Sequence, residues 1–524
     1  MGSKSEDNAR GRQYFHGAAH LDQATQKSVE HLTSSRTLAR SVFWNILGQM
    51  AQLITALVVL PWLVRGLGPE RFGLLALAWV VIGYFGVIDL GVGRALTKLV
   101  AEKLHVASES ELSVLFGTSL GLLLCVGVVG SIAGFLTSQF MVGRILRMSV
   151  NLRSEALYSF WLLCLSIPII TVTTGLRGIL EAHQRFGILN AIRIPLSVFN
   201  FVAPLALLPF STRLVPIVSL LLLGRGVALL AHWVACRRIA PAARSLQFGR
   251  TFIRPLLQLG GWMTISNIIS PVMVYVDRFL LGALVSVAAV GYYAVPFEVV
   301  TRLLVIPAAL VAVLFPALSV ATAQEPRRAA MLASRSTVYV ILAVFPLALI
   351  MATFAYEGLG LWLGPTFALA SFRILQLLSA GVLLNCLAQT PFTLIQAAGR
   401  PDLTAKLHLL EFPFYLVLAC YLIAVYGATG AAIAWVVRVS ADAILLFVFS
   451  QRVLVSEDLH LSQVAAAGSA AVLAMAAGAL LPGVGTKAGL VTVVVATFAI
   501  VAWRRVLRPS EKELLTSVFK LVRT

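Results

Sequence analysis

The sequence predicts an all-α integral membrane protein, and three observations support that fold class. Of the 524 residues, 59% are hydrophobic and only 12% are charged, and the mean hydropathy is +0.91. Apolar runs of about 20 residues, long enough to cross the hydrocarbon core of a bilayer, recur along the chain. Lysine and arginine also alternate in density between successive connecting segments, which is typical of multi-span membrane proteins.

Reading for apolar runs of about 20 residues predicts about fourteen transmembrane helices. The expected spans are residues 42–64, 72–94, 114–137, 156–176, 188–210, 215–236, 257–281, 290–316, 337–357, 372–396, 407–426, 428–449, 463–481 and 486–503. The polar tail before them has no apolar region of the signal-peptide type, so we expect it to precede a first, uncleaved span.

Charge asymmetry predicts the orientation. The net charge is +19, and the chain has 41 Lys and Arg residues. Of these, 28 fall in segments on the side of the N-terminus, 7 on the opposite side and 6 inside spans. The positive-inside rule therefore predicts that both termini are cytoplasmic, which an even number of spans also requires.

An internal repeat of about 214 residues relates the first six spans to the next six. Residues 36–40 correspond to 250–254, residues 179–185 to 394–400, and Arg225 to Arg438. Because six is even, the halves have the same orientation, which predicts two parallel-related six-helix bundles around a central cavity plus a C-terminal helix pair. The expected divisions are a tail at 1–40, bundles at 41–236 and 257–450 joined by a linker at 237–256, helices 13 and 14 within 451–503, and a basic tail at 504–524.

Six arginines lie inside the expected spans: Arg193, Arg225, Arg278, Arg302, Arg373 and Arg438. A charge at membrane depth costs about 2.5–3.5 kcal/mol on insertion scales, so it usually faces a polar cavity. Arg225, Arg302 and Arg438 are near mid-span, whereas the other three are close enough to span ends to snorkel. The predicted substrate-binding residues are Arg225, Arg302, Arg438 and Arg278, facing an anionic substrate.

Local ion pairs are the alternative for two of these arginines. Glu298 precedes Arg302 by four residues, and Asp442 follows Arg438 by four, the helical spacing at which opposite charges meet. The acids within spans are also candidates for gating or ion coupling, namely Asp89, Glu298, Asp277 and Asp442. Asp89 stands beside glycines at a span end, as a gate would, but Arg94 or Lys98 could simply neutralise it.

Prolines indicate where one span bends. Pro296 and Pro307 flank Arg302 in the eighth span, and each removes a backbone hydrogen bond. We therefore expect this span to be bent, either as a moving element or as a packing kink.

Several function classes find no support in the sequence. It contains no phosphate-binding glycine loop followed by Lys-Ser/Thr and no zinc-protease motif. Its five cysteines lie in apolar spans without disulfide or zinc spacing. We expect no enzyme activity, no nucleic-acid partner and no cofactor, with coupling to protons or sodium left open.

Five segments resemble the polysaccharide-transporter branch of the multidrug/oligosaccharidyl-lipid/polysaccharide (MOP) exporter superfamily: residues 67–74, 89–93, 276–282, 290–294 and 315–319. The resemblance implies a flippase that moves an undecaprenyl-diphosphate-linked oligosaccharide between leaflets of the bacterial cytoplasmic membrane by alternating access. It also implies membrane lipids and a lipid-linked anionic oligosaccharide as partners, polysaccharide polymerase machinery as a further candidate, and surface polysaccharide as the product.

Three other readings remain open at this point. A peptidoglycan-precursor lipid flippase would also have fourteen spans and cavity arginines. A cation-coupled multidrug exporter of the same superfamily would have mainly acidic residues in its cavity. A membrane-embedded glycosyltransferase would need a sizeable loop outside the membrane, which the expected spans do not leave.

Overall fold

Helices make up the regular structure of this protein, as long apolar segments require, because in hydrocarbon each backbone N–H must bond within its own segment. The computed structural model describes residues 35–85, 91–104, 107–454, 461–509 and 511–513, and for 35–47, 84–85, 259–271, 323 and 461–462 it describes the backbone alone. Within these ranges there is no β-strand. Asp89 and most of both tails lie outside the described residues, so their predicted roles have no structural counterpart here.

The first half contains six helices. They are α1 (Ser35–Phe85), α2 (Val92–Lys103), α3 (Glu109–Phe140), α4 (Val150–Ala182), α5 (Phe186–Leu207) and α6 (Leu214–Ile239). A π-helical turn at Met141–Ile145 extends α3. The linker after α6 follows α3 closely, since Thr118 Oγ1 donates to the carbonyl of Gly249 and accepts from its amide, both at 3.0 Å.

Nine helices follow: α7 (Ile253–Leu284), α8 (Val287–Thr301), α9 (Val305–Gln324), α10 (Pro326–Thr353), α11 (Ala355–Leu363), α12 (Pro365–Ala397), α13 (Pro401–Leu454), α14 (Leu461–Leu480) and α15 (Val484–Val501). A 3₁₀ turn at Arg302–Leu304 separates α8 from α9. This interruption lies between Pro296 and Pro307, so the eighth expected span does depart from a continuous α-helix at Arg302.

Two glycines break the longest helices. Gly68 in α1 has φ 72° and ψ 170°, and Gly427 in α13 has φ 60° and ψ −136°. A residue with a Cβ avoids such conformations, so glycine is required at both bends. Each bent helix covers two of the spans expected from the sequence, 42–64 with 72–94 and 407–426 with 428–449.

Eleven helices among the described residues are long and apolar enough to cross a membrane, counting each bent helix once. The protein is thus a multi-pass membrane protein. Helix α7, which covers the expected span 257–281, is not among the eleven, and part of its side chains are undescribed. The total of fourteen spans stays a prediction.

Turns at corresponding positions repeat in detail. After α4, Arg185 N donates to Leu180 O at 3.0 Å, and Gln184 has φ 55°. After α12, Arg400 N donates to Ile395 O at 3.1 Å, and Gly399 has φ 74°. The two turns have the same hydrogen-bond pattern at the spacing of the sequence repeat, which supports the internal duplication.

The two halves meet closely at one end of the molecule. Arg147, in the loop after α3, donates its amide to Gly282 O at 2.9 Å and accepts from Val287 N at 3.0 Å. Nearby, a Cβ added to Gly73 of α1 would lie 1.9 Å from Val287 O, so the backbones of α1 and α8 approach as closely as glycine permits. This end of the interface, defined by Gly73, Arg147, Gly282 and Val287, is called the closed end below.

Candidate substrate cavity

A cavity of about 250 Å³ lies between the halves, lined by α1, α5 and α6 from the first half and by α7 and α8 from the second. Its polar side chains are those of Gln52, Asn200, Arg225, Tyr275, Arg278 and Glu298. Apolar residues of α1 and α8 complete the wall. It is called the first cavity below.

A second cavity of about 460 Å³ continues from the first, within the first half. The two share Ile82, Gly83, Asn200 and Arg225 in their walls. Three charged residues line the second cavity alone: Arg177 and Glu181 on α4 and Arg193 on α5. Together the two cavities form a polar corridor with Arg225 at the junction.

Arg225 has the least compensation of the corridor arginines. Its Nη2 donates to Asn200 Oδ1 at 3.4 Å, and its buried Nε has no partner. No acidic side chain forms an ion pair with it within the described part of the chain. Trp79 Nε1, another group on the first cavity, is also buried without an acceptor. Unpaired buried donors are costly, so both N–H groups are available to an acceptor inside the cavity.

Arg278 is held in a rigid setting and is only 4% exposed. Its Nη1 contacts Asp277 Oδ1 at 3.3 Å and Val274 O at 3.0 Å, and its guanidinium lies 4.4 Å from the centre of the Phe297 ring. Tyr293 donates its hydroxyl proton to Asp277 at 2.5 Å. The expectation that Arg278 snorkels to the membrane surface is therefore wrong, because its side chain is fixed inside the protein at the cavity wall.

Glu298 and Arg302 form the ion pair that their spacing predicted. Glu298 lines the first cavity, whereas Arg302 lines neither cavity described here and is 18% exposed at its side chain. Arg302 thus reaches the cavity surface through its acid partner. Its assignment as a direct substrate ligand stays a prediction.

Arg438 and Asp442 do not form the pair that the sequence allowed. The guanidinium of Arg438 lies 5.5 Å from the centre of the Tyr415 ring, and Asp442 Oδ1 lies 3.6 Å from His408 Nε2. Neither residue lines the first or the second cavity. Arg373 is exposed and lies over the Phe372 ring at 5.6 Å.

Sequence reasoning missed several corridor residues. Arg177 was counted in a connecting segment because the apolar run ends there, yet α4 continues to Ala182 and carries it into the second cavity. Arg193 was expected to snorkel. The nearly buried His232, whose Nε2 has no partner, lines the same cavity. Their helical spacing from other polar residues, such as Arg193 with Ser197 and Asn200, was the available signal.

Charge in the corridor is positive on balance. Four arginines line it (Arg177, Arg193, Arg225 and Arg278) against two glutamates, Glu181 and Glu298. Arg177 and Glu181 approach each other at 3.5 Å, which leaves Arg193 and Arg225 without an ion pair among the described residues. The arrangement can accept an anion and disfavours a cation.

Solved structures define the fold class. The lipid II flippase MurJ in an inward closed conformation matches 90% of this chain and 100% of its own, with a TM-score of 0.67 and 13% identity. An inward-facing multidrug resistance MATE family transporter of the MOP superfamily matches 82% of this chain and 99% of its own, with a TM-score of 0.65 and 15% identity. An outward-facing MATE transporter matches 80% and 96%, at 0.56 and 17%. The fold is that of the MOP superfamily.

Sequence comparison is more specific than the fold. Residues 38–322 match the polysaccharide biosynthesis protein family. A candidate O-antigen transporter of Shigella flexneri is 33% identical over 411 residues, which are 78% of this chain and 97% of that protein. The chain therefore belongs to the polysaccharide biosynthesis protein family. The resemblance read from the sequence is confirmed, and the protein is a membrane transporter rather than an enzyme.

Proposed function

We propose that this protein is a flippase that moves an undecaprenyl-diphosphate-linked oligosaccharide from the inner to the outer leaflet of the bacterial cytoplasmic membrane, for synthesis of surface polysaccharide. The observation that carries the proposal is the corridor centred on Arg225, with more arginines than acids in its wall. The relative in Shigella flexneri supports an O-antigen or a similar polymer as the product.

The corridor suits a diphosphate. A phosphate group that leaves water needs replacement hydrogen bonds, and arginine supplies two parallel N–H donors with a permanent charge. Arg193 and Arg225 offer such donors without acids that already occupy them. The neutral polar groups beside them, such as Asn200 and the threonines Thr173 and Thr174, suit the hydroxyl groups of sugars.

Alternating access requires one closed and one open end, and the close contact around Arg147, Gly282 and Val287 supports this. The charge asymmetry of the sequence supports an outward location for that end and cytoplasmic termini. The better match to inward-facing than to outward-facing relatives is consistent with the same state. Outward movement of an anion is favoured by an inside-negative potential, by about 2.3 kcal/mol per charge per 100 mV.

The proposed architecture has fourteen spans arranged as two six-helix bundles with a C-terminal helix pair. The bends at Gly68 and Gly427 support two spans in each bent helix, and the matching turns at Gln184 and Gly399 support the duplication. Polysaccharide polymerase machinery is the candidate partner that would use the flipped lipid.

Complementation of a strain that lacks this transporter tests the proposal. Arg225→Ala should lower surface polysaccharide by about tenfold or more, because hydrogen bonds to charged groups contribute about 1.5–3 kcal/mol. Arg225→Lys, which keeps the charge but loses the fork, should retain part of the activity. Arg373→Ala is the matched control, since Arg373 is exposed and lines neither cavity. Normal export by Arg225→Ala at normal protein level would contradict the proposal.

The same variants separate the related functions. Rescue of a strain that lacks its peptidoglycan-precursor flippase would favour that substrate. Lower drug susceptibility together with normal surface polysaccharide would favour a drug exporter. Accumulation of lipid-linked oligosaccharide on the inner leaflet in the Arg225→Ala strain is the result we expect.

A further inference from the structure

Three side chains of the kind that bind metal ions meet away from the corridor. His408 and Glu411 are on the first arm of α13, and Asp442 is on the second arm, beyond the bend at Gly427. Their ligand atoms all lie within 4.8 Å of one another. His408 Nε2 and Asp442 Oδ1 are the pair whose distance is 3.6 Å. The bend therefore brings together residues that are 31 to 34 positions apart in the sequence.

The acidic groups of this cluster are buried without hydrogen bonds. Glu411 is 9% exposed, and neither of its carboxylate oxygens has a partner. Asp442 is also 9% exposed, and its Oδ1, which faces His408, lacks a hydrogen-bond donor. Burial of unpaired carboxylates is strongly unfavourable, so something must bring positive charge to this position.

Arg438 does not supply that charge by direct contact. Although it is one helical turn from Asp442, its guanidinium lies over the Tyr415 ring, and it forms no ion pair with Glu411 or Asp442 within the described chain. The imidazole of His408 is meanwhile oriented by the Phe392 ring of α12, whose centre is 6.1 Å away at an interplanar angle of 14°. An oriented imidazole with two carboxylates is a ligand set for a metal ion.

We propose that His408, Glu411 and Asp442 form a binding site for one divalent cation of the borderline class, such as Zn²⁺, Mn²⁺ or Co²⁺. One nitrogen and two carboxylate ligands suit these ions better than Na⁺ or Mg²⁺, which prefer oxygen. Two carboxylates neutralise a divalent charge. The 3.6 Å separation of His408 and Asp442 is near the separation of about 3.4 Å that ligands at about 2.1 Å from a tetrahedral ion would have.

The cation would tie the two arms of α13 together. His408 and Glu411 belong to the arm before Gly427 and Asp442 to the arm after it, so one ion would cross-link helices that otherwise contact through apolar side chains such as Leu407, Ala443 and Leu446. The site lies outside both corridor cavities and does not depend on the proposed substrate.

Metal titration of the full-length protein tests this proposal. The purified chain in lipid nanodiscs, stripped with a chelator, is titrated with ZnCl₂, MnCl₂ or CoCl₂ by calorimetry and by thermal unfolding. The wild type should bind one equivalent and unfold at a higher temperature. Glu411→Gln and Asp442→Asn, which keep side-chain shape, should weaken binding by about tenfold or more. For Co²⁺, His408→Gln should also shift the absorption bands, because a nitrogen ligand is lost.

Asp402→Asn is the matched control, because Asp402 is a carboxylate near the start of the same helix that pairs with Arg400 and Lys406 at the surface. It should bind like the wild type. Equal affinity in all variants would assign binding to other groups, such as the histidines of the N-terminal tail, and overturn the proposal. Absence of binding by all three ions would overturn it too, and would leave a shared proton as the charge that neutralises the carboxylates.

Discussion

At the scale of single residues, burial of an arginine says little about its role until its partners are known. Arg225 and Arg278 both line the first cavity. Arg278 is neutralised by Asp277 next to it, whereas Arg225 contacts only the amide of Asn200. The sequence predicted both as ligands from their depth in apolar spans, but depth does not determine which face of a helix meets a cavity. Helix packing determines it.

The contrast between these two arginines predicts opposite effects on stability. Arg278→Ala would leave the fully buried Asp277 without its cation, and loss of one partner of a buried pair costs about 3–5 kcal/mol. Arg225→Ala removes a charge that has no acid partner, so it should leave the unfolding temperature of the purified protein nearly unchanged. Thermal unfolding of both variants in one detergent checks this. Equal destabilisation would show that Arg225 also has a structural role.

Glu298 and Arg302 predict a non-additive pair of substitutions. Arg302→Ala would leave Glu298 as an uncompensated negative charge on the first cavity, where it would repel an anionic substrate. Glu298→Gln in the same chain removes that repulsion, so the double variant should export about tenfold more than Arg302→Ala alone, within the coupling expected for contacting residues. Export per molecule of protein is the measurement. If the double variant stays as inactive as Arg302→Ala, Arg302 itself binds substrate.

At the scale of helices, the sequence predicted the existence of most elements better than their limits. Apolar runs located the spans, but α4 extends to Ala182 and α10 begins at Pro326, both beyond the expected limits. Hydropathy detects only the part of a helix that lies in hydrocarbon. The remaining turns carry polar residues, and in α4 these turns carry Arg177 into the second cavity. Bends at Gly68 and Gly427 depend on backbone angles that hydropathy does not report.

The last two helices are held to the body by a pair that the sequence did not predict. Lys487 of α15 is 7% exposed, and its Nζ donates to Glu357 Oε1 of α11 at 2.7 Å. These residues were assigned to different groups, a connecting segment and a span, because they are 130 positions apart. A contact between distant elements leaves no local pattern in one sequence.

This pair predicts how α14 and α15 are attached. Lys487→Met should destabilise the hairpin by about 3–5 kcal/mol, because it leaves Glu357 partly buried and uncompensated. Adding Glu357→Leu should recover most of that loss, since an apolar pair of similar volume is often as stable as a buried ion pair. Limited proteolysis between α13 and α14 reports detachment. Equal sensitivity of the wild type and Lys487→Met would mean that apolar packing alone holds the hairpin.

At the scale of the whole molecule, the halves are joined most closely at the closed end, where backbone groups rather than side chains meet. Backbone hydrogen bonds between Arg147 and both Gly282 and Val287 can form only when the loops after α3 and α7 are adjacent. The Gly73 contact with Val287 requires the same closeness. If the corridor empties toward this end, these contacts must break in every transport cycle.

A reversible cross-link at the closed end therefore predicts reversible arrest. In a variant without the five native cysteines, Arg147→Cys with Val287→Cys should form a disulfide, since the two backbones are already hydrogen-bonded at 3.0 Å. The disulfide should stop export because it prevents the halves from separating, and a reductant should restore it. Each single cysteine variant, treated in the same way, controls for oxidation alone. Continued export by fully cross-linked protein would mean that substrate leaves by a route that does not open between these loops, for example sideways between helices of one half.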